Sequence, residues 1–210
     1  MILHDHAHSS NAQKVRFLLA LLRLEYERRT VPFEEPRPDW HYAVNPLGGI
    51  PVLLDGELVL AESNTILRYL AAREGREDLL PVAPRERAPV DWLLDAASLT
   101  LRPVAREVDA AAYGWRLRRG IGAEAPSAEA LPAVIASVQP RLAAYSRLLG
   151  VDGYACLGRL TLADIAAMPS LWRLLQAGAL DGHPRLRAWA ELVASQPAWA
   201  TVAAESGVPG

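Results

Sequence analysis

The sequence contains a single cysteine, Cys156. That excludes an intrachain disulfide and a thiolate zinc cluster, and it suits a reducing compartment. There is also no run of the roughly 18 apolar residues that a membrane helix needs. The longest candidates are cut by Asp55 and Glu57, or by Asp164 and Arg173, so no membrane partner is expected. Met1 to Ser10 lacks a basic patch followed by an apolar core, so no secretory signal is read and a cytoplasmic location is expected. Nor does charge of one sign prevail. Lys and Arg number 22 against 24 Asp and Glu, a net charge of −2. This excludes the strongly basic footprint of a protein whose main task is binding nucleic acid. What the chain does hold is core-forming material: 51% apolar and 22% charged residues exclude a disordered chain. At about 150 residues per domain, 210 residues make one large domain or two small ones.

The patterning favours two. Met1 to His4 is a short apolar run, and Ser9, Ser10 and Asn11 can cap the helix that follows. Val15, Leu18, Leu19 and Leu22 step along one face of that helix. Tyr26 to Val31 reads as a second strand, whereas three prolines between Pro32 and Pro38 exclude a regular element. Pro51–Leu54 and Leu58–Leu60 flank Asp55-Gly56, a hairpin signal. A helix with Ile66, Tyr69 and Leu70 inward starts at Ser63. The order strand, helix, strand, loop, strand, strand, helix predicts an α/β unit with a mixed sheet over residues 1–78. Residues 79–84 read as a linker. Over 85–210 strand signals stop, which predicts an all-α unit.

In that second unit, Arg85 to about Arg119 is helical in composition, with Trp92, Leu93, Ala96, Leu99 and Leu101 as core candidates and a break at Gly120 to Pro126. A helix with Leu131, Val134, Ile135, Val138, Leu142, Tyr145 and Leu149 inward follows, and Pro140 is expected to kink or break it. Thr161 and Asp164 form a capping box that starts a helix burying Ile165, Met168, Leu171, Trp172 and Leu175. Arg185 to Ser195 reads as the last helix, with Leu186, Trp189 and Val193 inward; Trp92, Trp172, Trp189 and Trp199 read as packing residues.

Three stretches suggest chemistry. In Asn45 to Leu53, Pro51 opens a strand and removes one ladder donor. A cis Ile50–Pro51 bond would leave the Ile50 backbone able to pair with an extended ligand; a loop entering a strand reads the same way. At Glu62-Ser63, a serine at a helix start suits a carboxylate and the adjacent acid suits an ammonium group, so the pair could hold an α-amino acid head group. An N-cap serine beside an acid is the plainer reading. Ser9, also at a helix start, can cap the helix or donate to a thiolate, which would lower the thiol pKa.

These stretches occur in an order that resembles a cytosolic glutathione S-transferase of the bacterial, serine-type kind. HSSNAQKVRFLLALL (8–22) is similar to the catalytic loop and first helix of the family's thioredoxin-like domain. NPLGGIPVL (45–53) resembles its cis-proline loop, LAESNTILRYL (60–70) its γ-glutamyl-binding segment, and LTLADIAAMPSLW (160–172) the capped helix of its helical domain. The likeness spans nearly the whole chain. It implies that glutathione is the co-substrate and that Ser9 is the catalytic serine, with Asn11 orienting the sulfur. It also implies that Ile50, before cis-Pro51, pairs with the cysteinyl part and that Glu62 and Ser63 hold the γ-glutamyl end. The thiolate would then attack a small hydrophobic electrophile, within a homodimer; Tyr113 and Trp115 fall where the family often lines that pocket, though a core or surface aromatic is the plainer reading, and His6 or His8 could touch the substrate. A glutathione-dependent isomerase and a non-catalytic binder of glutathione or hydrophobic ligands are the alternatives.

The sequence departs from the family at Gly49, where many relatives carry a longer polar residue; Arg37 or His41 could compensate near the glycyl carboxylate. Ser10 competes with Ser9. Because no cysteine stands in the catalytic loop, a cysteine-type mechanism is disfavoured, and Cys156 reads as packed. His4, His6 and His8 alternate, but a strand ending near Asp5 would scatter them, so no metal is expected. Arg116 to Arg119 reads as a solvated helix end.

Overall fold

In the computed structural model, which describes residues 1–114, 128–150 and 153–208, the N-terminal part follows the expected order. Strand β1 (Ile2–Asp5) leads through helix α1 (Ser10–Leu22) to β2 (Glu27–Thr30). After a short helix α2 (Asp39–Tyr42), which the proline-rich sequence did not signal, come β3 (Val52–Asp55), β4 (Leu58–Leu60) and α3 (Ser63–Arg73). The strands form one mixed sheet in the order β2-β1-β3-β4. β2 runs parallel to β1, as a helical crossover allows, while β1–β3 and β3–β4 are antiparallel. Leu3 pairs with Leu53, and both are buried. The Asp55-Gly56 turn closes the β3–β4 hairpin with Gly56 at φ 59°.

The rest of the described chain is helical: α4 (Pro84–Ala96), a π-helical turn (Ala97–Leu101), α5 (Arg102–Tyr113), α6 (Ala130–Ser146), α7 (Leu162–Gln176), α8 (Pro184–Ala194) and α9 (Pro197–Ala204). The connector before α4 is packed rather than loose: Leu79 and Leu80 are buried, and Leu162 N donates to Leu79 O at 3.0 Å. Among the described residues no helix is long and apolar enough to cross a membrane.

Several expectations need correction. Trp92 is 56% exposed and Leu99 77% exposed. The buried stripe runs through Val90, Leu93, Leu94, Ala97, Leu101, Val104 and Val108 at helical spacing, and neither residue falls on it. Pro140 does not break α6; beside it the Gln139 side chain donates to Ile135 O and Ala179 O. Arg185 to Ser195 is followed by α9, started by Pro197 at its first position. The break at Gly120 to Pro126 and the run Arg116 to Arg119 lie outside the described residues.

Helix α7 is the axis of the core. From Leu162 to Leu171 every residue is buried, so this part of the helix is enclosed on all sides rather than along a stripe, while Trp172 and Leu175 of the expected stripe are half-buried. α1, α4, α5 and α8 all pack on it. Its start is fixed by Asp164. One carboxylate oxygen accepts from the Thr161 backbone N–H (2.8 Å) and hydroxyl (2.9 Å). The other accepts from Ala155 N and Trp189 Nε1, both at 2.8 Å. Burial pushes this carboxyl upward, and the four donors oppose that shift. Asp164→Ala removes the cap and strands two further buried donors, at a cost of roughly 2–5 kcal/mol. The melting temperature should fall sharply in thermal unfolding followed by circular dichroism, and an unchanged one would show that the cap carries no stability.

Candidate active site

The loop after β1 turns through His6 to Ser9 and enters α1. Ser9 is extended (φ −76°, ψ 109°), so its side chain folds back over the helix start and accepts the Ala12 N–H at 3.3 Å. The same Oγ lies 3.5 Å from Ile50 O. Because a hydroxyl has one proton and two lone pairs, the cap uses a lone pair and leaves the O–H to donate. Capping and chemistry, read from the sequence as alternatives, are compatible at Ser9. The hydroxyl borders a cleft of about 230 Å³ that His8, Ser10 and Asn11 also line.

The opposite lip is the loop before β3. The Ile50–Pro51 bond is cis, and Pro51 is buried beneath Ile50, which faces the cleft. Gly48 has φ 66°, and a Cβ there would come within 2.7 Å of the Tyr42 ring, so only glycine fits. Gly49 O accepts from Asn45 Nδ2 (2.9 Å) and from His41 Nε2 (3.0 Å). Since a carbonyl only accepts, His41 carries its proton on Nε2. Its bare Nδ1 therefore receives the His4 Nδ1–H, 3.2 Å away. His41 is thus buried beneath the loop and does not reach the cleft. Arg37 does line it, donating to Pro32 O (2.5 Å), Glu34 O (2.7 Å) and Gly48 O (3.4 Å). Of the two candidates to compensate for Gly49, the geometry favours Arg37.

The third wall was not read from the sequence. Arg102, Ala105, Arg106 and Asp109 of α5 face the cleft, as do Ser170 and Arg173 of α7. Arg173 and Asp109 form a buried ion pair at 2.8 Å. The Arg173 guanidinium also donates to Pro169 O (2.7 Å), Gln13 Oε1 (2.8 Å) and His8 O (3.3 Å). It joins two helices of the helical part to α1 and to the residue before Ser9. Gln13 in turn donates to Ala7 O at 2.6 Å. The signal for this wall was the spacing 102, 105, 106, 109, one face of a helix.

Glu62 and Ser63 do not line the same cavity. Ser63 is buried at the first position of α3, and Glu62 is exposed with φ 64°, a conformation that costs a non-glycine residue energy and recurs at ligand sites. The next residue ties them to α1, the helix that Ser9 caps. Asn64 Oδ1 accepts from Lys14 Nζ of α1 at 2.7 Å, and that ammonium also reaches Ser98 Oγ of the π-helical turn at 3.2 Å. Burial, with Arg102 next, pushes Lys14 down to about 7, against a pull upward from Glu62.

Tyr113, at the end of α5, is half-buried and is not among the residues lining the cleft. Trp115 lies outside the described residues. Cys156 is buried beside Thr161, and burial raises its thiol pKa. β1 ends at Asp5 as expected and His4 turns inward to His41, away from the other two, but the His6 and His8 rings stay 5.1 Å apart and His6 stacks on Phe33 at 4.6 Å. Among the described residues no group of three or more His, Cys, Asp or Glu is placed to hold a metal.

The models of the glutathione S-transferase N-terminal and C-terminal domains match residues 8–73 and 103–197. Glutathione S-transferase 3 of Zea mays is 31% identical, over 96% of this chain and 92% of its own. The chain belongs to the glutathione S-transferase family. A maleylacetoacetate isomerase of Pseudomonas aeruginosa is 30% identical over 95% of this chain and 93% of its own. The solved apo form of glutathione S-transferase III superposes with a TM-score of 0.79 at 28% identity, covering 100% of this chain and 98% of that one. The mixed sheet followed by the helical part is therefore the transferase fold, α/β with a thioredoxin-like sheet and then all-α.

Buried His4 and half-buried His6 give the fold a pH limit. His4 is held down at about 4 by burial, then by His41 and Arg29; His6 is held at about 4 by burial, then by His8. Between the unfolded value near 6.5 and these lowered values, the unfolded chain binds protons that the folded one refuses. Stability is therefore full above about pH 6.5 and drains away towards pH 4. Thermal melts should show this fall, and His4→Gln should make it shallower.

Proposed function

We propose that the protein is a glutathione S-transferase in which Ser9 holds the glutathione sulfur as a thiolate. The observation that carries the reading is the Ser9 hydroxyl itself: it accepts the Ala12 N–H behind it and donates at the cleft only over a long 3.5 Å contact to Ile50 O, which a sulfur would replace. The start of α1 adds the positive end of a 13-residue helix. A free thiol titrates near 8.5, so a drop of one or two units makes it mostly thiolate at neutral pH. Ile50, preceding cis-Pro51, pairs through its backbone with the cysteinyl part, and Asn11 orients the sulfur. Glu62 and Ser63 take the γ-glutamyl ammonium and carboxylate, and Arg37 faces the glycyl carboxylate. Residues 1–78 thus hold glutathione, and 85–210, across the 79–84 connector, supply the electrophile wall. The thiolate forms a C–S bond with the electrophilic carbon. The displaced electron pair leaves with a departing group or, where the carbon belongs to a double bond, moves from that bond to the neighbouring carbon, which takes a proton from water. His8 borders the electrophile, and Tyr113, at the end of α5, extends the pocket beyond the cleft. Since the cytosol is poised by glutathione, the reading also puts the protein in the cytoplasm.

A glutathione-dependent isomerase is the second reading. It is favoured by the maleylacetoacetate isomerases among the relatives, including one of Rhizobium meliloti at 34% identity over 81% of this chain. In that case the C–S bond breaks again and glutathione is returned.

Titrating glutathione into the protein should raise the ultraviolet absorbance of a thiolate. Ser9→Ala should abolish the band and most turnover, whereas Ser10→Ala should keep both. No band in the parent protein would leave a mere binder. Mass analysis of products separates the two reactions, because a conjugate retains the sulfur and an isomer does not. A homodimer also belongs to this reading, since Trp92 and Leu99 are large, apolar and exposed on the α4 side. The double variant Trp92→Glu/Leu99→Glu should sediment as a monomer, and the parent protein as a dimer.

A further inference from the structure

Of the 22 lysine and arginine residues, 21 are arginine; the one lysine is Lys14. It stands on α1 in the turn after the Ser9 cap and is only 2% exposed. Among the described residues no carboxylate pairs with its ammonium. Its two partners are neutral oxygens, Asn64 Oδ1 at 2.7 Å and Ser98 Oγ at 3.2 Å, so two of its three N–H groups are used. A buried cation without a counter-charge weakens a fold. The cluster leads to the start of α3. The Asn64 amide is held at both ends: its oxygen takes the Lys14 proton, and its nitrogen donates to Leu94 O (3.1 Å) and Ser98 Oγ (3.2 Å). The two residues before it are Glu62, at φ 64°, and the buried Ser63.

Resting on the reading of Glu62 and Ser63 as the γ-glutamyl subsite, we propose that Lys14 is a positioning residue of that subsite. Through Asn64 it fixes the Glu62–Ser63 backbone, and its charge is the buried counterpart of the carboxylate that binds there. The ligand supplies the negative charge that the chain itself withholds from this ammonium, so binding favours the charged form of Lys14. The surroundings leave room for such a change. Burial, then Arg102 of α5, lowers the Lys14 pKa to about 7; Arg68 of α3 adds to this, while Glu62 of α3 and Asp95 of α4 oppose it. An arginine at this position would stay charged throughout, whereas a buried lysine gains or loses its proton readily. The sign follows from linkage. Well below pH 7 the ammonium is charged before and after binding. Above pH 7 binding must draw a proton from solvent, so affinity falls as the pH rises.

The test uses the full-length protein and S-methylglutathione, which keeps the carboxylates and the ammonium group of glutathione but has no thiol to titrate. Calorimetry at pH 7 in buffers of different ionisation enthalpy should find about half a proton taken up per ligand bound, the neutral share of Lys14 near its pKa. Affinity should fall from about pH 6.5 to about pH 8. Lys14→Met removes the charge without adding a polar group. It should abolish the uptake, flatten the pH profile and raise the KM for glutathione roughly tenfold, the size of one interaction with a charged group. The effect on KM should far exceed that on kcat. A parent protein that binds without proton uptake at pH 7 overturns the proposal, and that measurement needs no variant. Uptake that persists undiminished in Lys14→Met overturns it too, because another group then titrates. So does a variant with kcat lowered and KM unchanged, since Lys14 would then serve Ser9 through α1. If the parent protein does not bind S-methylglutathione at all, the proposed function fails and this inference falls with it.

Discussion

Four hydrogen bonds converge on the Asp164 carboxylate, and they come from three places: the first turn of α7, the loop at Ala155 and Trp189 of α8. A buried charge is tolerable only when its lone pairs are filled, so the register of α7 is fixed by this one group. Everything packed on α7 inherits that register. α1, α4, α5 and α8 all lie against it, and the sheet is held to the helical part mainly through α1.

The same helix delivers its last turn to the cleft. Nine residues after Asp164, Arg173 reaches Asp109 of α5, Gln13 of α1 and the carbonyl of His8. The loop that presents Ser9 is therefore held from the helical side by a guanidinium and from the sheet side by the cap at Ala12. A second tie runs from Lys14 to Asn64 and Ser98, joining α1 to the start of α3 and to the π-helical turn. Both ties begin on the first two turns of α1. Ser9 and the start of α3 are thus positioned by one short stretch of helix.

Much of this was legible in the residues. The hairpin at Asp55-Gly56, the caps at Ser9 and Thr161, and the strand-opening Pro51 are local signals, each set by the conformational limits of one or two residue types. α2 was not legible, because four residues are too few to show a period and the prolines before them argue against any element. Trp92 and Leu99 were assigned inward because hydrophobicity marks a residue as apolar without saying on which side of a helix the core lies. The cleft's third wall escaped for a related reason: Arg102, Arg106 and Asp109 sit among residues with a plain amphipathic pattern, and only the fold shows that their polar side meets Ser9. Arg173 interrupts an apolar helix, and such a residue has no evident partner until Asp109, 64 positions away, is brought beside it.

The π-helical turn at Ala97–Leu101 sits between the helix that anchors α3 and the helix that carries the arginines. An α-helix advances about 100° per residue, so the extra residue in this turn sets the rotation of α5 about its own axis. Losing it would swing Arg102 and Arg106 about a quarter-turn aside with no change in their identity. In this architecture the charge of the cleft's third wall is written in the length of the chain as much as in its letters.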